Sequence, residues 1–78
     1  MLSVSQIKAA RSLLGWTASK LADESGVGIA TIRRCELQSG IPSANTKSLK
    51  SIEDALINAG IEFIGDPIKD PGVKLKAK

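Results

Sequence analysis

Seventy-eight residues, 42% of them hydrophobic, allow one domain with a modest core and exclude a second domain or a large pocket. A single cysteine and the absence of histidine exclude an internal disulfide framework and a Cys/His zinc site. The net charge of +3 permits a polyanionic partner without requiring one, and no apolar run approaches the roughly 20 residues that span a bilayer.

Ser3 is placed to cap a first helix, and Gln6 three residues later completes a capping box. That helix is predicted over Val4 to Leu14, with Val4, Ile7, Ala10 and Leu14 as its inward stripe and Gly15 as its stop. Only Trp16 and Phe63 are aromatic, so Leu, Ile, Val and Ala must build the core. Trp16, at an apolar junction, reads as a plug between the first two helices rather than a stacking platform for a base.

Thr17 to Leu37 organises the rest of the chain. Thr17 caps a short helix from Ala18 to about Ser25, and Ser25-Gly26-Val27 forms a tight turn in which glycine supplies a positive φ. A second short helix is expected from about Gly28 to Leu37. Ala22, four residues before Gly26, lets the two backbones approach, and Leu21, Val27 and Ile32 are spaced to meet between them. This is the helix-turn-helix arrangement, whose second helix enters the DNA major groove. At ~3.6 residues per turn, Gly28, Ile32, Cys35 and Glu36 share one side, while Ile29, Ala30, Arg33 and Arg34 share the other. The outward side carries two arginines and no acid, as a surface laid against phosphates and base edges would. The bland alternative is a helical hairpin with a solvated basic face. The base-facing set is therefore Ile29, Ala30, Arg33 and Arg34, with Gly28 and Thr31 at its margin. Arginine can pair bidentately with guanine, and Ile29 and Ala30 can pack on a thymine methyl.

Nothing in the chain composes an active site. Cys35 reads as a small buried hydrophobe, since no histidine exists to activate it. The Gly26-Val27-Gly28 stretch lacks the Lys-Ser/Thr signature of a phosphate loop. Asp23/Glu24 and Glu53/Asp54 are adjacent pairs that point about 100° apart on a helix, so neither converges on a metal or a reacting group. No catalytic residue, metal or cofactor is expected.

Ser39 to Ala44 is loop, punctuated by Gly40 and Pro42. A fourth helix follows from about Thr46 to Ala59, capped by Asn45, with Ser43 the alternative. Leu49, Ile52, Leu56 and Ala59 form its inward stripe and Gly60 ends it. Ile61 to Ile64 is β-prone, two Pro/Gly/Asp turn signals follow, and Val73 to Lys76 suits a second strand. Lys74, Lys76 and Lys78 make a basic tail, either solvated or touching phosphate.

Ala22, Gly26, Val27, Ile32 and Glu36, preceded by IKAARSLLGW and followed by Gly40 and Pro42, resemble the phage-repressor or Cro-like (xenobiotic-response-element type) helix-turn-helix regulators. The resemblance runs from about residue 5 to residue 76 and is closest to short bacterial regulators with ALINAGIEFI-like and GVKLK-like segments. It implies a structural ion pair between Arg11 and Glu36, which stand at the matching places. It implies phosphate contacts at the loop before the fourth helix, here Ser43, Asn45 and Lys47, and at Thr17. The family often carries glutamine at the start of the recognition helix; Ile29 replaces that readout here. Longer members place a fifth helix where this chain has its strand segment.

The expected fold is mostly α, a lambda-repressor-like domain of four helices with a short C-terminal β-strand or hairpin. Residues 1–60 would form the DNA-binding domain, with its motif at 17–37, and residues 61–78 a β segment and basic tail serving dimerisation. The expected function is sequence-specific binding of double-stranded DNA as a bacterial or phage-type transcriptional regulator, cytoplasmic and nucleoid-associated. The alternative is a protein-binding module of the same fold, an anti-activator or antitoxin acting by protein contact. A recognition helix of about ten residues is roughly 15 Å long, too short to select one genomic site alone. A homodimer on an inverted repeat is therefore expected, joined through Ile61, Phe63 and Ile64 with help from Val73 and Leu75.

Overall fold

A computed structural model describes residues 2–76 as a mostly helical domain. Its elements are α1 (Val4–Leu14), α2 (Ala18–Ser25), α3 (Ile29–Glu36), α4 (Thr46–Asn58), β1 (Ile61–Ile64) and β2 (Gly72–Leu75). Lys78, part of the expected basic tail, lies outside the described residues. None of the described helices is long and apolar enough to cross a membrane.

The helices begin where side chains can satisfy their first amides. The Ser3 hydroxyl accepts from the Gln6 amide at 3.2 Å, while the Gln6 side-chain oxygen accepts from the Ser3 amide at 3.1 Å. This reciprocal box pairs two amides that the helix itself leaves orphaned. Thr17 and Asn45 cap α2 and α4 by accepting from the amides of Lys20 and Lys47. Gly26 closes α2 at φ 73°, a left-handed backbone that strains any residue with a Cβ, and so turns the chain into α3. α4 ends at Asn58, one residue before the expected Ala59, which is its C-cap, and Gly60 follows at φ 106° and turns the chain away.

One apolar cluster holds the elements together. Ile7 and Ala10 of α1, Leu21 of α2, Val27 of the turn, Ile32 of α3, and Ile52, Ala55 and Leu56 of α4 meet in it. Leu14, Trp16 and Ala22 pack at its edge. Leu49 and Ala59 are only half-buried. The inward stripe of α4 is Ile52, Ala55 and Leu56, the i, i+3, i+4 set that fits one helical face, and Ala59 falls at the helix end beyond it.

β1 and β2 pair antiparallel, matching Ile61 with Leu75, Glu62 with Lys74, Phe63 with Val73 and Ile64 with Gly72. The hairpin is part of the core, and of the residues expected at a dimer surface it takes the Ile61 side chain out of reach. Ile61 is 1% exposed and belongs to the central cluster, and Phe63 and Val73 pack against that cluster on the same sheet face. Side chains stand off the sheet faces, so the inward side chains of Ile61 and Phe63 anchor the hairpin and leave only the backbone edge of β1 to offer a twin. Ile64 and Leu75 remain exposed. Gln6 secures the turn end of the hairpin: its amide nitrogen donates to the carbonyls of Gly72 at 3.1 Å and Ile64 at 3.4 Å.

Candidate nucleic-acid interface

α3 turns two residues inward, Ile32 and Cys35, each 1% exposed. Burial pushes the Cys35 thiol above its ordinary pKa, with the neighbouring Arg34 opposing and Glu36 adding to the shift, so the sulfur is held as a protonated hydrophobe. At the end of the helix Glu36 receives a two-point grip. Arg11 Nε donates to Oε2 at 2.7 Å and Nη2 to Oε1 at 2.6 Å, the planar fork matching the carboxylate. The third guanidinium nitrogen, Nη1, donates to the Trp16 carbonyl at 2.9 Å. One side chain of α1 thereby holds both the end of α3 and the residue before the Thr17 cap. The pair is less enclosed than its place near the inward stripes suggested: the side chains are 21% and 11% exposed.

With these groups facing inward, Ala30, Arg33 and Arg34 lie fully outward, Gly28 is exposed at the N-cap, and Ile29 and Thr31 are half-buried at the flanks. Neither Arg33 nor Arg34 joins an ion pair among the described residues, whereas Lys20, Lys50 and Lys76 each reach an acid. Two exposed cations thus stand on α3 without an ion-pair partner among the described residues. The N-terminus of α3 carries no side-chain cap. An open groove runs beside it between α2 and α3, lined by Ser19, Ala22, Asp23, Gly26, Val27 and Ile29.

The residues expected at phosphate form two groups. Thr17 and Asn45 each use a side-chain oxygen to cap a helix at 3.1 and 2.8 Å. This leaves the Asn45 amide NH2 as the donor for any outside acceptor. Ser43 and Lys47 are exposed on either side of Asn45. The basic segment around the second strand is partly committed, since Lys76, just after β2, sits 3.8 Å from Glu62.

Two residues at the end of α3 were not singled out by sequence reasoning. Leu37 is 88% exposed, the most exposed of the large hydrophobics, directly after the outward arginines. Continuing the helical period by one step, four residues after Arg33, would have found it. Gln38 fastens the loop that follows, through bonds to a residue five positions away that no periodicity announces. Among the described residues no group of His, Cys, Asp or Glu comes together as a metal site. The chain matches no family model and no curated protein sequence.

Proposed function

We propose that this chain is a sequence-specific double-stranded-DNA-binding regulator of the phage-repressor or Cro-like helix-turn-helix type, with α3 as its recognition helix. The observation that carries the reading is the unpaired, fully outward Arg33–Arg34 pair on a short helix whose other face is buried. A guanidinium left without an acid on a helix narrow enough for the major groove suits bidentate contact with guanine. Ser43, Asn45 and Lys47 at the start of α4, with Thr17 at the start of α2, would meet the phosphates on either side and fix the register. We read the protein as a binder rather than an enzyme, because the sole thiol is buried and protonated and no base stands ready beside a nucleophile.

The reading includes a homodimer on an inverted repeat with half-sites about 34 Å apart. What supports it is the free edge of β1. The Lys76 amide donates to the Gly60 carbonyl, which fixes the alternation of the ladder. The N–H and C=O groups of Ile61 and Phe63 then point away from β2 and take no partner among the described residues. Pairing of β1 with its twin would satisfy them.

Selection from a random duplex library, followed by binding of the enriched sequence to wild type and to Arg33→Ala and Arg34→Ala, tests the function. At least one variant should lose about 1–3 kcal/mol of discrimination against random DNA while keeping its helical signal. No enrichment by the wild type, or unchanged discrimination in both variants, would overturn the proposal.

A further inference from the structure

We propose that Gln38 is a positioning residue that joins the base-facing end of α3 to the phosphate-facing loop before α4. The inference rests on the DNA-binding reading above and deepens it. The Gln38 side-chain amide pairs with Ser43 as one strand pairs with another: its oxygen accepts from the Ser43 amide at 2.6 Å, and its nitrogen donates to the Ser43 carbonyl at 3.3 Å. The same nitrogen donates to the Arg34 carbonyl at 3.3 Å. That carbonyl is among the last four of α3, which the helix cannot satisfy itself. It also belongs to one of the two outward arginines.

The connection from Leu37 to Asn45 needs such a fastening. It is longer than the ~4–6 residues typical between elements and has no secondary structure of its own. Its first half is anchored elsewhere, by the Val4 amide donating to the Gly40 carbonyl at 2.8 Å and by the buried Pro42. Its second half, from Ser43 to the Asn45 cap, has the Gln38 clasp. Phosphate contacts set how the recognition helix sits in the groove, so the spacing between Arg34 and Ser43–Lys47 must be fixed before binding. Otherwise ordering the loop would cost affinity at the moment of contact.

Gln38→Met keeps the length and apolar stem but makes none of the bonds. Gln38→Glu keeps an acceptor for the Ser43 amide but turns an oxygen toward the Arg34 and Ser43 carbonyls. Amide hydrogen exchange at Ser43, measured without DNA, reads the clasp directly. It should quicken by about two- to tenfold in Gln38→Met, the factor that corresponds to one net hydrogen bond. Binding to the library-selected duplex should then weaken, with its salt slope lowered by about 1, one phosphate contact. Preference for the selected over random sequence should persist, as should the melting temperature. Gln38→Glu should weaken binding at least as much. Unchanged Ser43 exchange in Gln38→Met would overturn the clasp. Faster exchange with unchanged affinity and salt slope would overturn the positioning role. Failure of the wild type to bind any duplex would overturn that role together with the reading beneath it, and the exchange arm would still decide whether the clasp exists.

Discussion

Removing Arg11 tests the frame that presents α3. Arg11→Ala deletes two charge-assisted bonds to Glu36 and the bond to the Trp16 carbonyl. For a fully buried pair, losing one partner costs about 3–5 kcal/mol because the other charge is stranded. For an exposed pair the figure is about 0–1 kcal/mol. Glu36 is 11% exposed and Arg11 21%, so water can reach the stranded carboxylate only in part. The expected loss is about 2–4 kcal/mol, between those limits and nearer the buried one. In a domain of this size that lowers Tm by roughly 10–25 °C, read by far-UV circular dichroism and cross-checked by urea titration. Arg11→Lys should recover less than the full loss, because an ammonium cannot reproduce the fork. The double variant Arg11→Met/Glu36→Leu, which leaves no stranded charge, should recover much of it. A Tm for Arg11→Ala within about 3 °C of wild type would show that the pair is not holding the fold.

Gln6→Glu separates two roles of one side chain. Glutamate serves a capping box as well as glutamine, so a role confined to the cap predicts no loss. Donation to Ile64 and Gly72 predicts destabilisation by about 1–3 kcal/mol in a urea melt. Cys35 should react with an aromatic disulfide reagent only as fast as the domain opens, because the thiol is buried and its pKa raised; rapid labelling of the native protein would contradict its placement. Ile64→Lys, at an exposed position beside the β1 edge, should shift sedimentation from dimer to monomer without loss of helical signal. A dimer undisturbed by that charge, or a wild type that sediments as a monomer, would move the proposed interface elsewhere or remove it.

Much of the fold was legible because its signals are local. Ser3 with Gln6, Thr17 and Asn45 are caps whose chemistry lies within three residues of the amide they serve, and all three start helices. The stripe Ile7, Ala10 and the centre Leu21, Val27, Ile32 follow from the helical period alone. The same period set Ala30, Arg33 and Arg34 outward. The errors arose where distant parts of the chain meet. An IEFI segment read in isolation offers an apolar edge to a partner; in the folded chain, the central cluster has already taken the Ile61 side chain. Gln6 binds a carbonyl 66 residues away, which no pattern of neighbours encodes. Gln38 was passed over because glutamine in a loop usually reads as solvated, and its partner is a backbone rather than another side chain.

These long-range polar bonds matter more here than in a larger domain. α3 has eight residues, about two turns, and such a segment is unstable alone in water. It contributes only Ile32 and Cys35 to the buried set, with Ile29 and Thr31 half-buried at its flanks. Its C-terminal end has two polar grips besides, Arg11 on Glu36 and Gln38 on the Arg34 carbonyl. Glu36 lies two residues after Arg34, and Gln38 reaches the Arg34 carbonyl from beyond the helix end. On the proposed reading, the end of α3 that carries the two arginines is therefore held in part by Arg11 and Gln38, neither of which is assigned a DNA contact. Arg11→Ala should loosen α3 itself, whereas Gln38→Met should loosen the loop that follows it and leave base preference in place.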